Sequence, residues 1–343
     1  MKQKERPLLG ITIGDPGSIG PEVCTKALSN EYIYEICRPL LIGDTRVVAE
    51  AIDFCNLELT VNSCSAPDEG AYCHGGVDVL NLNNMPLNLL NYKMVTAKQG
   101  QASFDYVAKA IELAKAGDID GTVTGPISKE AINEAGHHYA GHTEIYAELT
   151  NTADYAMMLV DNAFRVVHVS THVSLRKACD RVKKERIITA IDLTHAALQQ
   201  MGIASPSIGV ACLNPHCGEG RLFGDEEEKE IIPAVIDAQG RGILVEGPLP
   251  ADTVFVKMKG GMFDAVVVMY HDQGHIPAKL VGFHYDDKSK IWDKMSGINV
   301  TLGLPIIRAS VDHGTAFDKA GDNSANPKSM LDAIELASVL SVS

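Results

Sequence analysis

The sequence predicts an α/β protein. Short apolar runs recur along the chain, amphipathic helical stretches separate them, and several runs end in a polar turn carrying glycine or proline. Runs at 8–13, 39–42, 57–61, 120–124, 155–160, 164–170, 207–213, 265–269, 299–304 and 306–310 read as strands. The run 265–269 is apolar throughout, as strands covered on both faces of a parallel sheet are. Helices are expected at 45–54 and 101–116, the second because Phe104, Val107, Ala108, Ile111 and Ala114 share one helical face. Ile187, Ile191, Thr194, Leu198 and Met201 mark another over 186–201, and 330–340 closes the chain as a helix.

At 343 residues the chain suits one large or two medium domains. Its 30 basic and 44 acidic residues leave a net charge of −14, which disfavours nucleic acid or an anionic membrane as partner. A phosphorylated small molecule remains compatible, held by a few focused cations. The eight cysteines form no C-x-x-C pair and no disulfide-like spacing, which points to a reducing compartment. Residues 1–7 are charged and lead directly into a strand, so a soluble cytoplasmic protein is expected.

The turns hold the candidate chemistry. Residues 14–23 place three glycines and two prolines between a strand and a helix. The spacing is not that of G-x-G-x-x-G, so this turn is either structural or a phosphate or cofactor loop. The segment 63–92 reads as a short strand and a loop, and 124–129 as a second strand-end turn. In 137–144, His137 and His138 point apart. His142 and Thr143 are then hydrogen-bond donors to a ligand, or Thr143 starts the next helix. His168 is a mid-strand core residue, whereas His172 lies past the strand. Asn214-Pro215-His216-Cys217-Gly218 makes a sharp loop that holds His216 at a strand end. The acidic run 225–230 reads as a solvated first helical turn. Residues 247–253 form a proline-stiffened loop that offers Asp252 as a helix cap or a cleft carboxylate. Residues 270–279 read as a polar loop bringing His271, Asp272, Gln273 and Lys279 to a strand edge. A polar insertion, 284–296, holds Trp292 and looks like a hairpin or flap.

His172, His216 and His271 each stand just beyond a predicted strand, the arrangement needed for three imidazoles to meet one cation. Three such ligands suit Zn²⁺ and leave coordination positions open for catalysis, either water activation or polarisation of a hydroxyl for hydride loss. Lys279 and Arg308 are cations for a phosphate or carboxylate, or partners in structural salt bridges.

The block His313-Gly314-Thr315-Ala316, with Ala325-Asn326-Pro327 downstream, resembles the adenosine-holding loop of isopropylmalate and isocitrate dehydrogenases. Along nearly the whole chain the closest resemblance is to the 4-hydroxythreonine-4-phosphate dehydrogenases. G-D-P-x-x-I-G-P-E, T-G-P-I-x-K, G-H-T-E, N-P-H-x-G-E-G, G-P-L-P-A-D-T, Y-H-D-Q-G, N-V-T-L-G-L-P-x-I-R and S-V-D-H-G-T-A stand in family order. The resemblance implies an isocitrate/isopropylmalate dehydrogenase-like fold of two subdomains, with the active site in the inter-domain cleft at a homodimer interface. Residues 1–126 with 305–343 would form the cofactor side, and 127–304 the metal, substrate and dimerisation side. It further implies NAD or NADP held by Gly14, Asp15, His313, Gly314, Thr315 and Asn326, and a divalent ion (Zn, Mg or Co) on His172, His216 and His271. Substrate contacts would come from His142, Thr143, Lys279, Asn299 and Arg308, with Lys279 or Asp252 accepting the proton. The implied reaction oxidises the C3 hydroxyl of a 4-phosphorylated four-carbon acid and then decarboxylates it. Gly17-Ser18, Cys217, His275 and the 284–296 insertion depart from the family pattern. They turn the expectation toward D-threonate or D-erythronate 4-phosphate rather than 4-phosphooxy-L-threonine. The alternatives are a metal-dependent hydrolase and a dehydrogenase of a cyclic diol dicarboxylate.

Overall fold

The computed structural model describes residues 6–287, 291–295 and 297–342. The chain divides into two compact units, one formed by residues up to Thr152 with Leu304–Val342 and the other by Ala153–Gly303. Residues 127–152, expected in the second unit, therefore belong to the first. The physical reason is a shared core: Ile132, Ile145 and Tyr146 pack with Val107 and Ile111, and Leu304 and Ile306 cover them.

In the first unit, strands β1 (Leu8–Thr12), β2 (Arg38–Gly43), β3 (Thr60–Cys64), β4 (Gly76–Asn81) and β5 (Gly121–Thr124) join a return strand, Arg308–Val311, in the order β3-β4-β2-β1-β5-return. Every pairing is parallel. Helices α1 (Gly20–Leu28), α2 (Glu31–Ile36), α3 (Thr45–Phe54), α4 (Ala97–Ala116), α5 (Lys129–Glu134) and α6 (His142–Leu149) and a closing helix, Lys328–Ser341, complete the unit. Leu9, Ile11, Leu40, Leu41 and Ile42 have no solvent exposure, each burial contributing about 1.5–3 kcal/mol. The strand predicted at 57–61 starts later, at Thr60, and β4 is an inner strand within the segment read mostly as loop.

The second unit is mixed. Strands β6 (Ala156–Asp161), β7 (Phe164–His168), β8 (Ser207–Ala211), β9 (Leu244–Leu249) and β10 (Ala265–Val268) are followed by β11 (Phe283–Asp286), β12 (Ile291–Met295) and β13 (Ile298–Leu302). The sheet order is β13-β6-β7-β10-β8-β9, with β6 antiparallel to both neighbours and β7, β10, β8 and β9 parallel. Strand β9 takes in residues 247–249 of the segment predicted as a stiff loop, and a helix begins at Ala251 within it. Pro248 is tolerated there because β9 is an edge strand in this unit. Helices α7 (Leu175–Asp180), α8 (Lys184–Gln200), α9 (Ile232–Gly240), α10 (Ala251–Lys259) and α11 (His271–Gly282) flank the strands. The predicted hairpin is present as the antiparallel ribbon β11–β12, and residues 288–290 and 296 of the insertion lie outside the described residues. Among the described residues no helix is long and apolar enough to cross a membrane.

The turn after β1 is the most constrained loop of the first unit. Gly14 has φ +74°, and a Cβ there would stand 2.3 Å from the Pro126 carbonyl oxygen, so only glycine fits. Asp15 is fully buried: Oδ1 accepts from the Gly17 N–H at 2.9 Å, and Oδ2 has no hydrogen-bond partner. Burial raises its pKa to about 6, against the lowering effect of the Gly17 N–H and the Gln99 side chain. Because the folded pKa lies above the ordinary value, ionising Asp15 opposes folding. The cost is absent below the ordinary carboxylate pKa, grows as pH rises toward about 6, and is complete above it. Asp15→Asn is therefore expected to stabilise the protein at neutral pH by on the order of 3 kcal/mol more than below the ordinary carboxylate pKa. Urea midpoints of the two proteins across that range measure the difference, and a pH-independent gap would contradict it.

Candidate active site

The predicted residues fall into a group in each unit. In the first unit, the loops after β1, β5 and the return strand leave the same edge of three adjacent parallel strands, where α/β sheets bind ligands. They interlock through the backbone: the Asp15 N–H donates to the Pro126 carbonyl at 2.8 Å and the Ile19 N–H to the Thr315 carbonyl at 3.1 Å. This brings Gly14, Asp15, His313, Gly314 and Thr315 to one sheet edge. Asn326 is exposed beyond it, its Oδ1 accepting from the Lys328 N–H at 2.9 Å.

Arg308 begins the return strand and is only 2 % exposed. Its guanidinium donates to Thr124 Oγ1 at 3.2 Å and Thr143 Oγ1 at 3.4 Å, and lies 5.4 Å from the centre of the Tyr146 ring. Burial lowers its pKa to about 10, while Tyr146 and Glu144 act in the opposite direction, so it stays charged at neutral pH. His142 opens α6, and its Nε2 is buried without a hydrogen-bond partner. Desolvation, then the charges of Arg308 and Lys129, pushes its pKa well below the ordinary value and keeps the ring neutral. Neither His142 nor Thr143 caps α6, since Gly141 is the N-cap residue and no side chain caps the helix. A buried cation, a neutral imidazole and a threonine hydroxyl thus stand where an anionic group can be recognised.

In the second unit, His172 follows β7, His216 follows β8 and His271 follows β10, three neighbouring parallel strands. The stretch read as a polar loop at 270–279 is instead the first part of α11. Gly274 and Pro277 suggested a loop, but packing overrides propensity. Ala278 and Val281 lie against the core of Val166, Val254 and Val268, and a Cβ at residue 274 would meet His168 Nε2 at 2.4 Å. The helix therefore sits close against β7 and presents His271 in its first turn. His271 Nδ1 lies 2.7 Å from Asp272 Oδ1, which leaves Nε2 as the ring nitrogen available to a cation. The His172 and His271 rings are 5.8 Å apart beside a cavity of about 440 Å³ that includes Thr171, Ser174 and Tyr270 in its wall.

Among the described residues no three His, Cys, Asp or Glu side chains stand together as a ready metal cage. His216 lies in the turn Pro215–Gly218, where it and Cys217 take left-handed φ of +51° and +54°. Such conformations cost on the order of 1–3 kcal/mol each and persist only where neighbours enforce them. Glu227 anchors the entry to this turn: its Oε1 accepts from the Leu213 and Asn214 N–H groups at 2.9 and 2.7 Å, and its Oε2 from Asn214 Nδ2 at 2.9 Å. Glu227 is 2 % exposed, which corrects the reading of the acidic run as wholly solvated. The donor set fits a divalent ion in its chemistry, since imidazoles follow adjacent strand ends and a carboxylate orients one of them.

The remaining candidates are dispersed. Lys279 lies about two turns along α11 from His271, its Nζ 4.3 Å from the centre of the Phe283 ring. Asn299 sits in β13 with Oδ1 buried and unpartnered. Asp252 is exposed in the first turn of α10, whose N-cap is Pro250, so it is not the cap. Gln273, placed at this edge from the sequence but given no role there, accepts from the Met269 N–H and donates to the Cys212 carbonyl, both at 2.7 Å, and so ties the start of α11 to the end of β8. Sequence reasoning also left His275 without a role; its ring stacks on His271 at 3.6 Å. The departure of His275 from the family pattern was the available signal.

A family model described as "Pyridoxal phosphate biosynthetic protein PdxA" matches residues 35–337. A protein of Symbiobacterium thermophilum, provisionally named a D-threonate 4-phosphate dehydrogenase, is 47 % identical over 331 residues, 96 % of each chain. The crystal structure of a 4-hydroxythreonine-4-phosphate dehydrogenase from Burkholderia phymatum is 42 % identical, covers 98 % of both chains and superposes with a TM-score of 0.83. A β-decarboxylating dehydrogenase from Thermococcus kodakarensis, 12 % identical, covers 96 % of this chain and 81 % of its own with a TM-score of 0.51, a likeness of fold alone. The motifs, the α/β architecture and these matches agree: the chain belongs to the PdxA family.

Proposed function

We propose that the protein is an NAD(P)-dependent dehydrogenase that oxidises the C3 hydroxyl of a 4-phosphorylated four-carbon acid and releases CO₂, with D-threonate 4-phosphate as the leading substrate. The observation that carries this reading is the end-to-end similarity to a relative of that name. The buried Arg308 and the neutral His142 support recognition of an anionic end, with Thr143 beside them. His172, His216 and His271 would hold a divalent ion, and an imidazole set favours Zn²⁺ or Co²⁺ over Mg²⁺. When bound, the ion supplies charge stabilisation at the reacting oxygen and the nicotinamide supplies the hydride acceptor. Asp272 orients His271, and Asn299 offers a free amide oxygen to a substrate hydroxyl. Lys279 in its neutral form, or Asp252, would accept the proton. The interlocked loops of the first unit, with Asn326, would hold the dinucleotide, and the active form would be a homodimer.

The test is a nicotinamide reduction assay with D-threonate 4-phosphate, D-erythronate 4-phosphate and 4-phosphooxy-L-threonine, using NAD and NADP, with and without chelator. Turnover of D-threonate 4-phosphate that is lost to chelator and restored by Zn²⁺ or Co²⁺ is expected. Phosphate release without nicotinamide reduction would overturn the reading in favour of a hydrolase. Arg308→Lys, which keeps charge but loses the fork, is expected to lower kcat/KM about 100-fold, mostly through KM for the phosphorylated substrate. Steady-state kinetics with the cofactor KM as internal control measures this.

A further inference from the structure

The loop Ala325-Asn326-Pro327 is attached to α1 by two side chains to which the resemblance gives no role. Glu22 is fully buried in the first turn of α1, and its Oε1 accepts from the Ala325 N–H at 2.7 Å. The same Oε1 accepts from Lys26 Nζ at 2.7 Å, and Lys26 Nζ also donates to the Ala325 carbonyl at 3.0 Å. One residue of the loop is thus held through both its N–H and its carbonyl by an ion pair spaced i, i+4 on one helix. The neighbouring loop is attached to the same helix start through the Ile19 N–H and the Thr315 carbonyl at 3.1 Å. A buried carboxylate is costly to keep, and this one leaves Oε2 without a partner, so the arrangement is not the cheapest way to close a loop. An apolar contact would tether the segment equally well but would not fix the orientation of a peptide.

We propose that Glu22 and Lys26 are positioning residues for the dinucleotide. They orient the peptide at Ala325, and with it Asn326, so that the loop is set for the cofactor before it arrives. Neither touches the cofactor. The inference rests on the reading of 313–327 as the dinucleotide loop. It is tested by fluorescence titration of NADH and NADPH into wild-type protein and into Lys26→Met, Glu22→Leu and Glu22→Gln, alongside thermal melts and substrate kinetics. Lys26→Met and Glu22→Leu are expected to weaken the dinucleotide that binds wild type about tenfold, with KM for the phosphorylated substrate and kcat at saturating cofactor little changed. Glu22→Gln, which keeps an acceptor for the Ala325 N–H, is expected to recover most of the affinity. A purely structural pair would lower melting temperatures without this selective change in cofactor affinity, and that result would overturn the proposal. If wild type bound dinucleotide and all folded variants bound it equally, the positioning role alone would fall. If wild type bound neither dinucleotide, the functional reading would fall with it.

Discussion

Parallel pairing of β7, β10 and β8 is the constraint on which the candidate metal centre depends. Strands that run the same way end at the same edge, so the loops that follow them meet regardless of their separation in sequence. His172, His271 and His216 are carried to that edge by backbone hydrogen bonding rather than by attraction among themselves. Gln273 and Glu227 then brace the local structure, the first by tying α11 to the end of β8 and the second by binding Leu213 and Asn214 at the start of the His216 turn.

The first unit follows the same logic with charge in place of imidazole. Its parallel strands carry three loops to one edge, and around them the protein keeps groups that burial penalises: Asp15, Glu22 and Arg308 are all 2 % exposed or less. Each costs stability relative to an apolar residue of similar volume. The proposed function gives each a ligand to act on, an anion at Arg308 and a dinucleotide beside Asp15 and the loop that Glu22 holds.

Much of this was legible in the sequence because apolar runs and strand-end glycines report the parallel sheet directly. The helices α3 and α4 and the strands β1, β2, β5, β7, β8 and β10 lie within a few residues of their expected positions. What was not legible depends on tertiary packing. Gly274 and Pro277 argue for a loop locally, and only the contact of α11 with β7 makes them helical. Pro248 argues against a strand unless its place at a sheet edge is known. Glu227 looks like any acid in a charged run until its burial beneath the His216 turn is seen. The boundary at Thr152 follows from Ile145 and Tyr146 joining a core begun by α4, a long-range contact that periodicity does not reveal.

The claim at the centre of this account is that imidazoles from three strand ends share one divalent ion. X-ray absorption on zinc-loaded protein tests it most directly. The account predicts one ion per chain in a shell containing three histidine nitrogens at about 2.0–2.1 Å, with histidine scattering reduced in His216→Ala. Failure to retain zinc stoichiometrically, or a shell unchanged by that substitution, would contradict it.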